Sequence, residues 1–374
     1  MDFTSLDDRN TDPDNPAFSR IAAKSIDLEK PDLTGEGFNE QDFINKVVAS
    51  VNHNASDLHL CTGYHPVLRI DGELQTFTHW PRVSKHWLNG LSQYLLSEVQ
   101  QYRLQQQGQI DCAYSTPDGQ RLRANLFHQR LGQSAALRLI PTTSPSLVAL
   151  DVPPIINQLI LQVNGLILVT GATGSGKSTT LSAMISAINQ QQARHIITLE
   201  DPIEFIHSNQ SCLIQQRELG CHTRCFNSAL RGALRQDPDI ILLGELRDLD
   251  TIRLALTAAE TGHLVLATLH TRTATQAIDR LVDVFPAEEK ATIRAQLAAS
   301  LRAVIAQKLC HKAGGGRVAL FEVLTQTTAV SHLIREGKTY QLPTVIQAGQ
   351  QWGMQTFEQS MAQRREQGTL AVAH

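Results

Sequence analysis

A glycine-rich loop near the middle of the chain constrains the fold more than any other feature. Residues 171–178 read Gly-Ala-Thr-Gly-Ser-Gly-Lys-Ser and fit the pattern G-x-x-x-x-G-K-[S/T]. The loop follows the apolar run 166–169 and opens a helical stretch from Thr179. Glycines let such a backbone wrap so that its N–H groups face phosphates, and the helix start favours anions. The pattern therefore predicts a strand–loop–helix unit that binds phosphate groups.

Each position of the loop has an expected task. Lys177 is expected to bridge the β- and γ-phosphates of ATP, and Ser178 to ligate Mg²⁺. A chance glycine turn is the alternative, but a strand before the loop and a helix after it favour the phosphate site. The residues expected to contact ATP are Gly171, Thr173, Gly174, Ser175, Gly176, Lys177, Ser178 and Thr179.

Apolar runs alternate with helical stretches from about residue 156 onward. Runs that are apolar throughout indicate strands buried on both faces, as in a parallel sheet covered by helices. We therefore expect an α/β P-loop NTPase domain over residues 156–374, and the last hundred residues look helical. The predicted strands lie at 166–169, 195–199, 240–243 and 264–267.

The first part of the chain has a different pattern. Residues 1–38 are rich in Asp, Asn, Pro and Gly, which predicts a mobile acidic arm. An amphipathic helix and short strand-like runs separated by turn signals then predict a small α+β domain over residues 39–141. Proline-rich residues 142–155 are expected to form a linker that acts as a hinge, with ATP bound between the two domains.

Composition excludes several classes of protein. The net charge of −3 gives no global basic field, so we expect no direct nucleic-acid partner. No run of about eighteen apolar residues is present, so we expect no transmembrane segment. Six cysteines in a long chain of this kind are expected to be reduced thiols. Cys212, Cys221, His222 and Cys225 cluster, but their spacings match no common zinc site.

Two acidic stretches follow predicted strands. The apolar strand within 239–245 ends in Glu245, and residues 198–205, Thr-Leu-Glu-Asp-Pro-Ile-Glu-Phe, carry three carboxylates. Ligand sites in open α/β sheets form at the carboxyl ends of strands. We therefore expect Glu245 on the Mg²⁺ side of the nucleotide, and one of the three carboxylates to polarise the attacking water. For residues 198–205, an exposed acidic loop is the alternative.

Two histidines, His263 and His270, flank the predicted strand 264–268. A histidine beside a strand is often a satisfied structural group. A histidine at a strand end near a γ-phosphate can instead sense the phosphate and couple the site to movement. Spacing alone leaves both interpretations open.

Taken together, these motifs resemble the secretion-ATPase superfamily, over residues 41–370. Residues 171–178 resemble its Walker A loop, 198–205 its Asp box, 244–248 its Walker B motif and 261–271 its His box. The resemblance implies a RecA-like core preceded by a PAS-like N-terminal domain. It also implies that Glu204 is the catalytic base, that Lys177 and Glu245 act in catalysis, and that His270 is the functional histidine.

The resemblance also implies a ring. Arg123 and Arg138 lie in strands similar to those whose arginines reach a nucleotide site in a hexameric ring, where they stabilise charge on the γ-phosphate. Solvated arginines at a strand edge are the alternative. The resemblance implies a homo-oligomer, a hexameric ring, that is peripheral to the cytoplasmic face of the inner membrane and contacts the pilus platform protein there.

One C-terminal stretch favours the PilT-like retraction ATPases of type IV pili. Residues 329–336 keep Ala329, Leu333, Ile334, Arg335 and Glu336 of that subfamily's signature, whereas Val330, Ser331 and His332 depart from it. The implied activity is ATP hydrolysis with Mg²⁺, driving pilus retraction in twitching-type motility and DNA uptake. The alternatives are an extension or type II secretion ATPase, a nucleotide-gated assembly protein with little turnover, and a small-molecule P-loop kinase.

Overall fold

The structure, a computed structural model, describes residues 38–53, 55–70, 72–117, 119–140 and 144–370. The chain divides into two compact units, residues 1–142 and 143–374. The predicted mobile arm of residues 1–38 lies outside the described residues, apart from Phe38. Among the described residues, no helix is long and apolar enough to cross a membrane.

The described part of the first unit is an antiparallel sheet with helices packed on it. The strand order is β3-β2-β1-β6-β5-β4, and every neighbouring pair is antiparallel. The elements are α1 (Glu40–Asn52), β1 (Ala55–Cys61), β2 (Val67–Ile70), β3 (Glu73–Thr76), α2 (Lys85–Leu95), α3 (Glu98–Gln107), β4 (Gln109–Ser115), β5 (Arg121–Gln129) and β6 (Gly132–Ile140).

Helix α1 shows how the sequence builds this unit. The side chain of Asn39 accepts a hydrogen bond from the backbone N–H of Asp42 and so caps the helix. Phe43 and Val47, one turn apart on the same face, are fully buried in the core. The amphipathic helix predicted from the spacing of the apolar residues is confirmed.

The second unit is built on a seven-stranded sheet among the described residues. Its strand order is β13-β12-β7-β11-β10-β8-β9, parallel throughout except for the edge strand β13. The strands are β7 (Gly165–Thr170), β8 (His195–Glu200), β9 (Leu213–Glu218), β10 (Ile240–Leu243), β11 (Leu264–Leu269), β12 (Leu301–His311) and β13 (Arg317–Thr325).

Helices cover both faces of this sheet. Along β7, Leu166 and Leu168 belong to one buried cluster, whereas Ile167 and Val169 belong to another. Successive side chains of a strand point to opposite faces, so a strand covered on both sides must be apolar throughout. The helices are α4 (Ile155–Leu159), α5 (Lys177–Gln191), α6 (Phe226–Ala233), α7 (Leu249–Glu260), α8 (Ala274–Asp283), α9 (Lys290–Ser300), α10 (Thr328–Arg335), α11 (Leu342–Ala348) and α12 (Phe357–Glu366).

The prediction of a helical C-terminal region is wrong for residues 301–325. This stretch forms β12 and β13, and β12 pairs in parallel with β7, the strand that leads into the glycine-rich loop. Runs such as Leu-Arg-Ala-Val-Ile-Ala contain alanine, which favours helices locally, but a place beside β7 buries most of the run from Leu301 to Gln307. Tertiary pairing therefore decides the outcome over local propensity.

Candidate active site

The glycine-rich loop lies where the sequence analysis places it, between the end of β7 and the start of α5. Gly171 and Gly176 have φ of 151° and 90°. A Cβ atom on Gly171 would lie 2.3 Å from the backbone oxygen of Gln307 on β12, and one on Gly176 would lie 2.8 Å from the Gln307 side-chain amide. Gly171 therefore needs glycine for conformation and for space, whereas Gly176 needs it for its left-handed conformation.

Lys177 is held inside the loop. Its Nζ donates to the backbone oxygens of Gly171 at 2.8 Å and Ala172 at 3.1 Å, and it lies 3.4 Å from Nδ1 of His270. Burial lowers the pKa of Lys177, whereas the negative charges of Glu245 and Glu204 raise it. The ammonium is thus positioned by carbonyl dipoles and lies within the field of two carboxylates.

Glu245 and His270 come together at adjacent strand ends. Glu245 follows β10 and His270 follows β11, the neighbouring strand. Oε1 of Glu245 lies 3.3 Å from Nε2 of His270, and its Oε2 accepts a 2.6 Å hydrogen bond from Nε of Arg247. The carboxyl edge of the sheet therefore brings Lys177, His270 and Glu245 into one connected group.

The acidic loop after β8, residues 201–207, lies near this group. Glu204 is half-buried, and its charge acts on Lys177. Glu200 has a different environment, because Oε1 accepts hydrogen bonds from Thr198 Oγ1 at 2.6 Å and from Gln216 Nε2 at 3.1 Å. The three carboxylates are thus not equivalent, and Glu200 is held by neighbouring side chains.

His207 fastens the acidic loop to the helix that starts at Lys177. Its Nε2 lies 3.3 Å from Ser182 Oγ, and its Nδ1 lies 3.5 Å from Ser186 Oγ, both on α5. Burial lowers the pKa of His207. The neutral ring can donate to one hydroxyl and accept from the other, whereas a protonated ring can only donate.

A pH-dependent contribution to stability follows from His207. Because the folded-state pKa is lower than the ordinary value of 6.5, this contribution is fully present above about pH 6.5 and is lost as the pH falls through the folded pKa. We expect the free energy of unfolding, measured with urea at pH 7.5 and pH 5.5, to fall less steeply with acid in His207→Gln than in the wild type. Equal slopes would contradict the assignment.

Sequence reasoning missed Gln307, a residue of β12 that packs against the glycine-rich loop. Its side chain is buried, and Oε1 accepts a 2.8 Å hydrogen bond from Thr180 Oγ1 in the first turn of α5. Residues 301–311 were expected to be helical, so no contact between Gln307 and the loop could be anticipated. A polar residue within a long apolar run was the available signal.

The predicted arginines face each other in the first unit. Arg123 on β5 is directly opposite Arg138 on β6, with side chains 40% and 60% exposed. Nε of Arg138 donates to Oδ1 of Asp57 at 3.0 Å, and Nε of Arg123 lies 3.8 Å from Oδ1 of Asp111. Like charges directly opposite repel, and these two carboxylates offset part of that repulsion.

His263 and the cysteine cluster, the other residues singled out in the sequence, make contacts within the second unit. His263 contacts the backbone oxygen of Ala258 through Nδ1 at 3.1 Å, as a structural histidine would. In the cysteine cluster, Cys212 is buried, whereas Cys225 is exposed and lies against Ser228. No group of three or more His, Cys, Asp or Glu side chains is arranged to hold a metal ion within the described ranges.

The C-terminal signature forms α10, which packs on α9. Leu333 and Ile334 are buried, and Ser331 Oγ donates to the backbone oxygen of Ala298 at 2.9 Å. Ala329, His332, Arg335 and Glu336 are exposed. Of the three residues that depart from the signature, Val330 and Ser331 therefore take part in packing. His332 changes the exposed face of α10.

The fold and the loop together define a P-loop nucleotide-binding protein, and comparison with known proteins supplies the family. The family model described as Type II/IV secretion system protein matches residues 34–373, and the chain belongs to this family. The predicted resemblance to a PilT-like member of the secretion-ATPase superfamily is confirmed.

Individual relatives are similar over most of their length. The chain is 57% identical to the uncharacterized protein YggR of Escherichia coli, over 87% of this chain and 98% of that protein. It is 47% identical to the type IV pilus retractation ATPase PilT of Pseudomonas aeruginosa, over 83% and 90%. A crystal structure of the pilus retraction motor PilT with bound ADP has a TM-score of 0.81 at 42% identity, covering 88% and 94%.

Proposed function

We propose that this chain is an ATP-hydrolysing motor that retracts a type IV pilus. The observation that carries the proposal is the 47% identity to a pilus retraction ATPase over nine-tenths of that protein's length. The phosphate loop, with Lys177 and two carboxylates around it, supplies the chemistry. ADP bound to the similar PilT structure supports nucleotide binding by this chain, and we assign that binding to the glycine-rich loop.

The carboxylates divide the work of hydrolysis. Glu204 is the general base that polarises the attacking water, because its charge reaches Lys177 and it is not the carboxylate held by Thr198. Lys177 neutralises the charge that develops on the γ-phosphate. His270, between Lys177 and Glu245, links the phosphate side of the site to β11.

Mg²⁺ fits the residues on one side of the loop. Ser178 is exposed at the start of α5, and Glu245 presents a carboxylate that is 20% exposed. Hydroxyl and carboxylate oxygens are the ligands this ion prefers, so these two residues would hold it. When bound, it neutralises charge on the β- and γ-phosphates.

The motor acts as a ring in this proposal. Arg123 and Arg138, two exposed guanidinium groups opposite each other on one sheet, act on the nucleotide of a neighbouring subunit. The first unit is a PAS-like domain, residues 142–155 are the hinge, and residues 156–374 are the RecA-like domain. The ring is a hexamer at the cytoplasmic face of the inner membrane, where it contacts the pilus platform protein.

Deleting the gene is expected to leave excess surface pili and to abolish surface motility, because extension would continue without retraction. Wild-type protein should restore both properties, and Lys177→Ala should restore neither. Pili are counted by electron microscopy, and motility is scored on agar. Lys312→Ala, which removes an exposed lysine of the same unit, is the matched control and should restore both.

Two outcomes would contradict retraction. Loss of pili in the deletion strain would indicate an extension motor. An unchanged pilus count would assign the chain to another system, and the exposed departure His332 on α10 would then be the residue to test first.

A further inference from the structure

The backbone of the acidic loop is held by two side chains of the edge strand β9. Ile203 N–H donates to Oε2 of Glu218 at 3.0 Å, and His207 N–H donates to Oε1 of Gln216 at 2.8 Å. Nε2 of Gln216 donates to the backbone oxygen of Phe205 at 2.8 Å. The peptide groups on both sides of the intervening Glu204 are therefore fixed to one strand.

The two side chains are arranged for this task. Gln216 and Glu218 are two residues apart, so they lie on the same face of β9, together with the buried Ile214. Glu218 is 8% exposed, and its Oε1 accepts a hydrogen bond from Cys221 Sγ at 3.3 Å. A buried carboxylate is costly unless its oxygens are paired, and here both oxygens have donors.

Gln216 also joins this loop to the strand before it. Besides its two bonds to the loop backbone, its Nε2 donates to Oε1 of Glu200 at 3.1 Å. One amide thus contacts the loop on the far side of Glu204 and the carboxylate that precedes it. Gln216 accepts one hydrogen bond and donates two, and a side chain with one acceptor and two N–H donors is specific to asparagine or glutamine.

We infer that Gln216 and Glu218 are positioning residues for Glu204, and we call this pair the β9 brace. The inference rests on the proposed function, in which Glu204 polarises the attacking water. A misplacement of about 1 Å in a reacting group can cost up to roughly a hundredfold in rate. The brace fixes the peptides at 203, 205 and 207, so it limits the displacement of the Glu204 side chain.

The first test is steady-state ATP hydrolysis by single variants of the full chain. We expect Gln216→Ala to lower kcat about tenfold with KM within about twofold, because the loop loosens while the phosphate loop is unchanged. Glu218→Gln keeps an acceptor for Ile203 N–H and should stay within about threefold of wild type. Gln215→Ala, on the opposite face of β9, is the matched control and should match wild type.

The second test separates positioning of Glu204 from a general structural effect. If Gln216 acts through Glu204, Gln216→Ala should change the residual rate of Glu204→Gln by less than about twofold. An equal tenfold loss in both backgrounds would overturn the inference, as would a raised KM with unchanged kcat.

Hydrogen exchange gives a readout that does not depend on turnover. The amides of residues 203–207 should exchange faster in Gln216→Ala than in wild type, and at the wild-type rate in Gln215→Ala. Unchanged exchange in Gln216→Ala would overturn the brace. A wild-type chain that hydrolyses no ATP but shows this exchange pattern would instead overturn the proposed function and leave the brace standing as a structural device.

Discussion

Glu204→Gln is expected to lower ATP turnover by roughly a hundredfold or more while ATP still binds. The amide keeps the size and polarity of the side chain but cannot accept the proton of the attacking water. In the proposed site the phosphate contacts come from residues 171–178, which the substitution does not change. The measurement is kcat under saturating ATP, together with the affinity for a fluorescent ATP analogue.

Loss of one negative charge beside Lys177 has a second consequence. Glu204 raises the pKa of Lys177 against the effect of burial, so the variant should carry a lower Lys177 pKa. ATP affinity should then weaken sooner as the pH rises, because the neutral amine no longer attracts phosphate. If the ratio of the ATP affinities of wild type and Glu204→Gln stays constant from about pH 7 to about pH 10, the effect of Glu204 on the pKa of Lys177 is contradicted.

The neighbouring carboxylate provides the discriminating comparison. Asp201 is in the same loop, is 37% exposed on its side chain, and lies 3.8 Å from Arg247. Asp201→Asn makes the same chemical change a few residues away and should lower kcat far less. Near-normal turnover in Glu204→Gln with strongly reduced turnover in Asp201→Asn would move the base to Asp201.

The buried strands of the second unit were predictable because their burial leaves a direct mark on the sequence. Strands β7, β10 and β11 are buried along their whole length and are apolar apart from Thr170 and Thr268. Edge strand β9 leaves no such mark, since Leu-Ile-Gln-Gln-Arg-Glu is mostly polar. It forms because its backbone pairs with β8 in parallel register. The local composition of residues 213–218 does not indicate that pairing.

The same distinction applies to the site. Lys177, Glu245 and His270 each follow a predicted strand, so parallel topology alone brings them together. Three supporting residues come from strands that were not predicted: Gln307, Gln216 and Glu218. Their hydrogen bonds to Thr180, His207 and Ile203 span between 9 and 127 residues of the chain. The residues proposed to carry the chemistry are visible in motifs, whereas the residues that hold them depend on pairing between distant segments.

Gly171→Ala is expected to weaken ATP binding at least a hundredfold. A Cβ atom there would lie 2.3 Å from the backbone oxygen of Gln307, within paired strand β12, and 2.5 Å from Ser175 Oγ. Because the strand backbone cannot yield, the loop must change its path, and its N–H groups turn away from the phosphates. Hydrogen bonds to charged groups are worth about 1.5–3 kcal/mol each, so losing two exceeds the roughly 2.8 kcal/mol of a hundredfold change.

Gly174→Ala separates the effect of space from the effect of conformation. Gly174 has φ of 77°, also in the left-handed region, but no atom lies within 4 Å of a Cβ built on it. Backbone strain alone costs about 1–2 kcal/mol, which corresponds to roughly tenfold weaker binding. Isothermal titration with ATP and with ADP measures both variants. Equal losses would mean that conformation alone governs the loop, and that its packing against Gln307 on β12 does not shape the phosphate site.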